Sequence, residues 1–277
     1  MNGRLYLVAT PIGNLEDITY RALRILREAD LIACEDTRHT RKLLDHYGIS
    51  KPLTSYHEHN EAARAQELVE KLRADASVAL VTDAGMPLVS DPGYRVVAAA
   101  IAAGIPVIPV PGPSAVVAAV AASGLATDAF YFGGFLPAKS GQRIRALEAL
   151  REHTSTLVFY EAPHRILATL ADVEKVLGPR DVVVARELTK IHEEFLRGPV
   201  SEVRTTLESR SAAKGEITLL IGKAAVQPAD PTTLEEAVEA CERAGMSRMD
   251  AIKEVARKRG LAKREVYKQM QRERPGG

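Results

Sequence analysis

"TDAGMPLVSDPG" spans residues 82–93, between the apolar run Val78 to Val81 and a helical pattern from Tyr94 to Ala103. An apolar run, a loop crowded with Gly, Pro and Asp, and then a helix is the order of an α/β unit, in which ligands gather at the carboxyl ends of strands. The chemistry of the loop limits that ligand. It lacks G-x-G-x-x-G and a Walker lysine, and it offers Asp83 and Asp91 where a phosphate would meet repulsion. A ligand without phosphates, carrying hydroxyls, an amine and positive charge, suits it better. Gly85 and Gly93 also read simply as turn residues, since Gly reaches positive φ without steric cost. Asp91, just before Pro92, reads as a cap for the helix near Tyr94.

The same alternation runs outward in both directions. Strand patterns occur at Leu5 to Ala9, Leu31 to Cys34, Val107 to Val110, Thr156 to Tyr160, Val182 to Ala185 and Ile217 to Ile221. Helical patterns occupy 19–28, 38–46, 60–73, 142–151, 163–176 and 201–209. The strands before residue 112 are short and apolar enough for a parallel sheet covered on both faces. "VPGPSAVVAAVAASG" then leads through a turn into a small-residue helix able to join two halves. We therefore expect two α/β domains, 1–112 and 113–225, with loops after the first four strands available to a ligand: "TPIGNLEDI", "EDTRHTRK", the opening loop and "PGPSA".

Composition narrows the class. The chain has 277 residues, 46% hydrophobic and 26% charged, enough for one large or two modest cores. Cys34 and Cys241 are too few and too far apart for a disulfide framework or a zinc cluster, and no metal site is indicated. "RLYLVAT" begins without a basic segment ahead of a long apolar one, and no stretch approaches the roughly 20 apolar residues of a membrane span. A cytoplasmic protein is expected. Charge differs by region: residues 1–225 carry 26 Lys+Arg against 27 Asp+Glu, whereas residues 243–274 carry 11 against 4. "VQPADPTT" at 226–233 reads as a linker ending in a helix cap, which sets off a basic module at 231–277.

"VATPIGNLEDIT", "EDTRHT", "TDAGMPLVSDPGYRVV", "VPGPSA", "GGFLPAK", "FYEAPHR" and "ARELTKIHEE" follow one another along the chain. In that order they resemble the signature segments of the ribosomal RNA small subunit methyltransferase I family, over about residues 3–222. The family belongs to a tetrapyrrole-methylase-like superfamily with two α/β domains and a cofactor cleft between them. The resemblance implies methyl transfer from S-adenosylmethionine to a cytidine 2′-hydroxyl of 16S rRNA in the small ribosomal subunit, with a homodimer as one arrangement. That cofactor has a sulfonium and no phosphate, as the opening loop requires. The resemblance further implies a pocket formed by Ile12, Gly13, Asp83, Ala84, Gly85, Ser114, Ala115, Tyr160 and Ala185.

Methyl transfer to a hydroxyl is an in-line displacement on an already activated electrophile, so positioning carries much of the rate and a base is helpful without being obligatory. Candidate bases are Lys190, His57 and His39, because a desolvated lysine can lose its proton and histidine titrates near neutrality. His57-Glu58-His59 reads equally as a polar surface loop, and Glu187 with Lys190 as a helical ion pair. Arg38, Arg41 and Lys42, on one side of the helix after "EDT", and Arg165 after "YEAPH" are candidates for RNA phosphates. A solvated helix face is the other reading. In the tail, patterns at 234–244, 247–259 and 262–273 suggest a helix-turn-helix-like module whose basic residues include Arg257, Lys258, Arg259, Lys263, Arg264 and Lys268. Two other functions share these features: a same-fold methyltransferase acting on a tetrapyrrole or other small molecule, and a non-enzymatic nucleic-acid binder.

Overall fold

The computed structural model describes residues 3–210, 214–224, 233–259, 263, 264, 266 and 267. The chain divides into two compact units, Met1–Ala224 and Ala225–Gly277.

The first unit begins with a five-stranded sheet of β1 (Arg4–Val8), β2 (Leu31–Cys34), β3 (Leu53–Ser55), β4 (Ser77–Val81) and β5 (Val107–Val110), in the order β3-β2-β4-β1-β5. Every pairing is parallel. Parallel neighbours need crossovers, which α1 (Tyr20–Glu28), α2 (Thr37–His46), α3 (Glu61–Arg73) and α4 (Tyr94–Ala102) help to supply. Alternating side chains serve both faces: Leu5, Ala33, Val78 and Leu80 meet Leu68, Leu72, Val96 and Ala100 of α3 and α4, while Val8, Ile32, Cys34 and Val81 meet Ile25, Leu26 and Leu44 of α1 and α2. Being apolar on both sides is why these strands read as continuous hydrophobic runs. Helix starts are marked by Thr19, which accepts from the Ala22 N–H at 3.1 Å, and by Asp36, which accepts from the Arg38 N–H at 2.8 Å.

Helix α5 (Ala115–Ser123), capped by Ser114, leads to the second sheet. That sheet contains β6 (Phe130–Phe135), β7 (Thr156–Glu161), β8 (Asp181–Arg186), β9 (Glu194–Pro199) and β10 (Ile217–Ile221), in the order β6-β7-β10-β8-β9. Only β6 and β7 pair in parallel. Helices α6 (Ser140–Ala149), α7 (Ile166–Leu177) and α8 (Val200–Glu208) contribute to the core on one face. Val116, Ala119 and Val120 of α5 pack on the other, against Val158, Val183 and Leu220. The chain thus has the expected α/β architecture with two sheets, and the loops at the carboxyl ends of the first sheet turn toward the second.

Three strands escaped the sequence patterns. β3 has only three residues, β6 carries the Gly133-Gly134 pair at a register shift, and β9 ends in Gly198-Pro199 at a sheet edge. Each violates the alternation or apolar run by which a strand is recognised.

In the second unit, α9 (Leu234–Arg243) starts with a reciprocal capping box between Thr233 and Glu236, and α10 (Arg248–Lys258) follows. Leu234, Val238, Ile252, Val255 and Val266 form its small core. Most of the expected helix at 262–273, Lys268 included, lies outside the described residues, as do the side chains of Arg257 and Lys258.

Candidate functional site

Gly85 ties the first and third loops together. Its φ of +84° lets the backbone turn so that its N–H and C=O both bond to Thr10, at 3.0 and 2.9 Å. The Thr10 hydroxyl donates to the Thr82 carbonyl at 3.0 Å, and the Asp36 N–H donates to the Asp83 carboxylate at 3.3 Å. The loops after β1, β2 and β4 are therefore one bonded assembly.

Against that assembly lies a cavity of about 360 Å³, bounded on its other side by residues of the second sheet. Eight of the expected pocket residues line it: Ile12, Asp83, Ala84, Gly85, Ser114, Ala115, Tyr160 and Ala185. Asp91, Phe135, Glu161, Leu188, Glu216 and Thr218 line it too and were not anticipated as pocket residues. Phe135, Glu161 and Leu188 fall inside the quoted segments "GGFLPAK", "FYEAPHR" and "ARELTK", which was the available signal. Thr218 lies within the strand pattern Ile217 to Ile221 and Glu216 just before it, where none of the quoted segments reaches.

Among the described residues the lining contains Asp83, Asp91, Glu161 and Glu216 and no Lys, Arg or His. Two of these charges are balanced locally. Glu161 has a completely buried side chain and pairs with Arg165 at 3.1 Å, and Glu216 pairs with Lys190 at 3.2 Å. Asp83 and Asp91 form no ion pair with a described residue. Burial above all pushes the Asp91 carboxyl up to about 6; the Thr82 hydroxyl opposes the shift and the charges of Glu35 and Asp83 add to it. Glu35 is raised likewise, first by burial and then by Asp83.

Asp91 does not cap α4. Gly93 occupies that position without a side-chain bond, because the loop first bends back at Leu88 (φ 72°) and Ser90 (φ 67°), which leaves Asp91 on the cavity wall.

A second cavity, of about 470 Å³, shares Ile12, Asp83, Ala84 and Glu216 with the first. Gly13, His39, Lys42 and Lys190 line it. The stem of Lys190 runs so close over Gly13 that a β-carbon there would overlap it, which explains the glycine by approach. Lys190 bonds Glu187 at 2.8 Å. This pair sits in a turn and not in the helix that its spacing suggested; Glu187 (φ 51°) and Thr189 (φ 67°) both adopt left-handed backbone, which a helix excludes. Burial is the largest single influence on the lysine and acts to release its proton, yet the bonds and charges of Glu187 and Glu216 together outweigh it and leave the pKa raised. Lys190 is thus held as a cation between two carboxylates in this structure.

The remaining candidates separate. His57 lines neither cavity; its Nε2 lies 3.2 Å from the Asn60 amide, and its buried Nδ1 has no hydrogen-bond partner among the described residues. Arg38, Arg41 and Lys42 are exposed on α2, with Arg38 bound to Asp36 at 2.8 Å. Arg165 is not presented to a phosphate. Its guanidinium turns inward to Glu161 and to the Leu136 carbonyl, because the buried carboxylate requires a counter-charge.

Residues 4–204 match the family model for tetrapyrrole (corrin/porphyrin) methylases. Ribosomal RNA small subunit methyltransferase I of Halalkalibacterium halodurans is 48% identical over 96% of this chain and 93% of its own length. The chain belongs to this methyltransferase family. The Bacillus subtilis member is 43% identical, again over 96% of this chain and 93% of its own length. Among solved structures, uroporphyrin-III C-methyltransferase from Thermus thermophilus, complexed with S-adenosylhomocysteine, is 22% identical with a TM-score of 0.56, covering 80% of this chain and 98% of that one. Diphthine synthase is 15% identical with a TM-score of 0.62 over 79% and 90%. These two likenesses establish the fold. Family membership makes the chain an S-adenosylmethionine-dependent methyltransferase, and no helix among the described residues is long and apolar enough to cross a membrane.

Proposed function

We propose that the protein transfers a methyl group from S-adenosylmethionine to the ribose 2′-hydroxyl of a cytidine in 16S rRNA of the small ribosomal subunit. The observation that carries the reading is the polarity of the two joined cavities. The first has four carboxylates and no basic side chain, with two of the carboxylates unbalanced, and it suits a cationic ligand without phosphates. The second shares Asp83 and Glu216 but adds His39, Lys42 and Lys190, the basic side chains that the first lacks, and these suit the backbone of an anionic polymer.

The residues present fit the cofactor by charge and by the apolar walls of Ile12, Ala84, Ala185 and Leu188, and Asp83, Ser114 and Tyr160 would hold its polar groups. When bound, S-adenosylmethionine supplies an activated methyl group. The chain's own contribution is orientation. Lys190, fixed as a cation over Gly13, holds the acceptor strand near the residues shared by both cavities, and Arg38, Arg41 and Lys42 extend the positive surface along α2. His39 is the histidine that borders the acceptor cavity. In the same reading, residues 1–112 and 113–225 carry the chemistry, the basic module at 231–277 docks rRNA, and the enzyme works in the cytoplasm.

The test is transfer of labelled methyl from S-adenosylmethionine into small subunits lacking the modification, with porphyrinoids as competing acceptors. Label in ribose 2′-O-methylcytidine supports the reading. Label only in porphyrinoids returns the chain to small-molecule chemistry.

A further inference from the structure

The carboxylates of the first cavity are unequal in a way that general ligand binding does not require. Glu161 is matched by Arg165 and Glu216 by Lys190, whereas Asp91 sits on the wall without an ion pair among the described residues, beside the Thr82 hydroxyl and two further acids, Glu35 and Asp83. Tyr160 faces it from the second sheet, and behind Glu35 stand His57 and Asp36. A half-buried carboxylate left without a cation in a concave, partly apolar cavity is costly, and a ligand that brings a positive charge relieves that cost.

Resting on the cofactor reading above, we propose that Asp91, backed by Asp83 and Glu35, makes the cavity sense the positive charge that accompanies the transferable methyl group. The donor carries a sulfonium. S-adenosylhomocysteine, left after transfer, has a neutral thioether in its place. Asp91 therefore favours the charged form and lets the spent form go, acting as a specificity residue for the methylated state of the cofactor.

With burial pushing the Asp91 carboxyl up to about 6, its ionised fraction should fall to about one-tenth at pH 5. The preference for the donor should then shrink by up to about tenfold between pH 7 and pH 5. Calorimetric titrations of the wild type, Asp91→Asn and Asp91→Glu would use three ligands: S-adenosylmethionine, S-adenosylhomocysteine, and sinefungin, whose ammonium takes the place of the sulfonium. In the wild type, donor and sinefungin should weaken together on acidification while S-adenosylhomocysteine changes little. Asp91→Asn should flatten that difference, and Asp91→Glu should retain it. Parallel changes for all three ligands would overturn the proposal and make Asp91 a partner for a group they share, such as the ribose hydroxyls. The wild-type comparison with sinefungin decides the matter even if a variant folds poorly. Failure of the wild type to bind any of the three would overturn the cofactor assignment itself, which is a distinguishable result.

Discussion

Replacing Arg165 by Ala should unfold the protein more readily and leave RNA affinity untouched. The Glu161 side chain is fully buried, while Arg165 is 19% exposed, and their contact is 3.1 Å. Removing one member of a buried pair costs about 3–5 kcal/mol, since the other charge stays uncompensated. Glu161 keeps two donors, the Ala162 N–H at 2.8 Å and the Thr169 hydroxyl at 2.5 Å, which places the loss at the lower end, about 3 kcal/mol. For a unit of this size each kcal/mol is worth about 2–4 °C, so the midpoint of thermal unfolding should fall by about 6–12 °C. Adding Glu161→Gln to Arg165→Ala should recover part of that loss, because the orphaned charge disappears with it. Differential scanning calorimetry measures both. An unchanged midpoint together with a salt dependence of RNA binding shallower by about one unit would refute the argument and return Arg165 to the phosphate-contacting set.

Asp91→Asn should stabilise the protein at neutral pH. The folded pKa of about 6 lies above the ordinary carboxylate value, so ionisation destabilises the fold increasingly as pH rises through about 4 to 6; after discounting for solvent screening the gain is about 1 kcal/mol at pH 7 and vanishes below pH 4, as urea titrations at several pH values would show. Lys190→Met should lower turnover while leaving S-adenosylmethionine affinity within twofold, and Lys190→Arg, which keeps the charge, should restore part of the rate; a matching loss of cofactor affinity in calorimetry would count against a role on the acceptor side. Truncation after Val226 should leave a cofactor-binding core with a shallower salt dependence of RNA binding, and equal slopes for both proteins would mean that the tail makes no phosphate contacts.

The parallel sheet was readable because a strand buried on both faces has few alternatives to an apolar run: Leu31 to Cys34 and Val78 to Val81 sit where the pattern put them. β9 was not, since at an edge one side of its backbone and much of its side-chain surface remain in water, and "EFLRGP" satisfies that environment without any period. The site divides on similar lines. Asp83, Ala84 and Gly85 lie in the turn immediately after a strand, where backbone topology fixes location. Asp91 and Arg165 were misread because their roles depend on which way a side chain points. Nothing in "SDPG" states that Leu88 and Ser90 will turn left-handed first, and nothing in "YEAPHR" states that Glu161 will be buried and claim the arginine four residues on.

Four of the five non-glycine residues with positive φ among the described residues, Leu88, Ser90, Glu187 and Thr189, lie in the two loops that frame the cavities. Each such conformation costs about 1–3 kcal/mol and survives only where surrounding contacts fix it. Here those contacts are visible: the Thr189 N–H donates to Glu193 at 2.6 Å, Leu188 is buried against α5, and Glu187 is bound by both Lys190 and the Glu216 N–H. The strain therefore fixes where charge stands, with Lys190 on the wall of the second cavity and Asp91 on that of the first. At physiological ionic strength exposed charges are screened beyond about 8 Å, so opposite fields this close persist only where side chains are held and partly withdrawn from water. On the proposed reading, that separation sorts the reactants before they meet: the cationic methyl donor is favoured in one cavity, the phosphate chain in the other, and the residues common to both, Ile12, Asp83, Ala84 and Glu216, mark where the hydroxyl and the methyl come together.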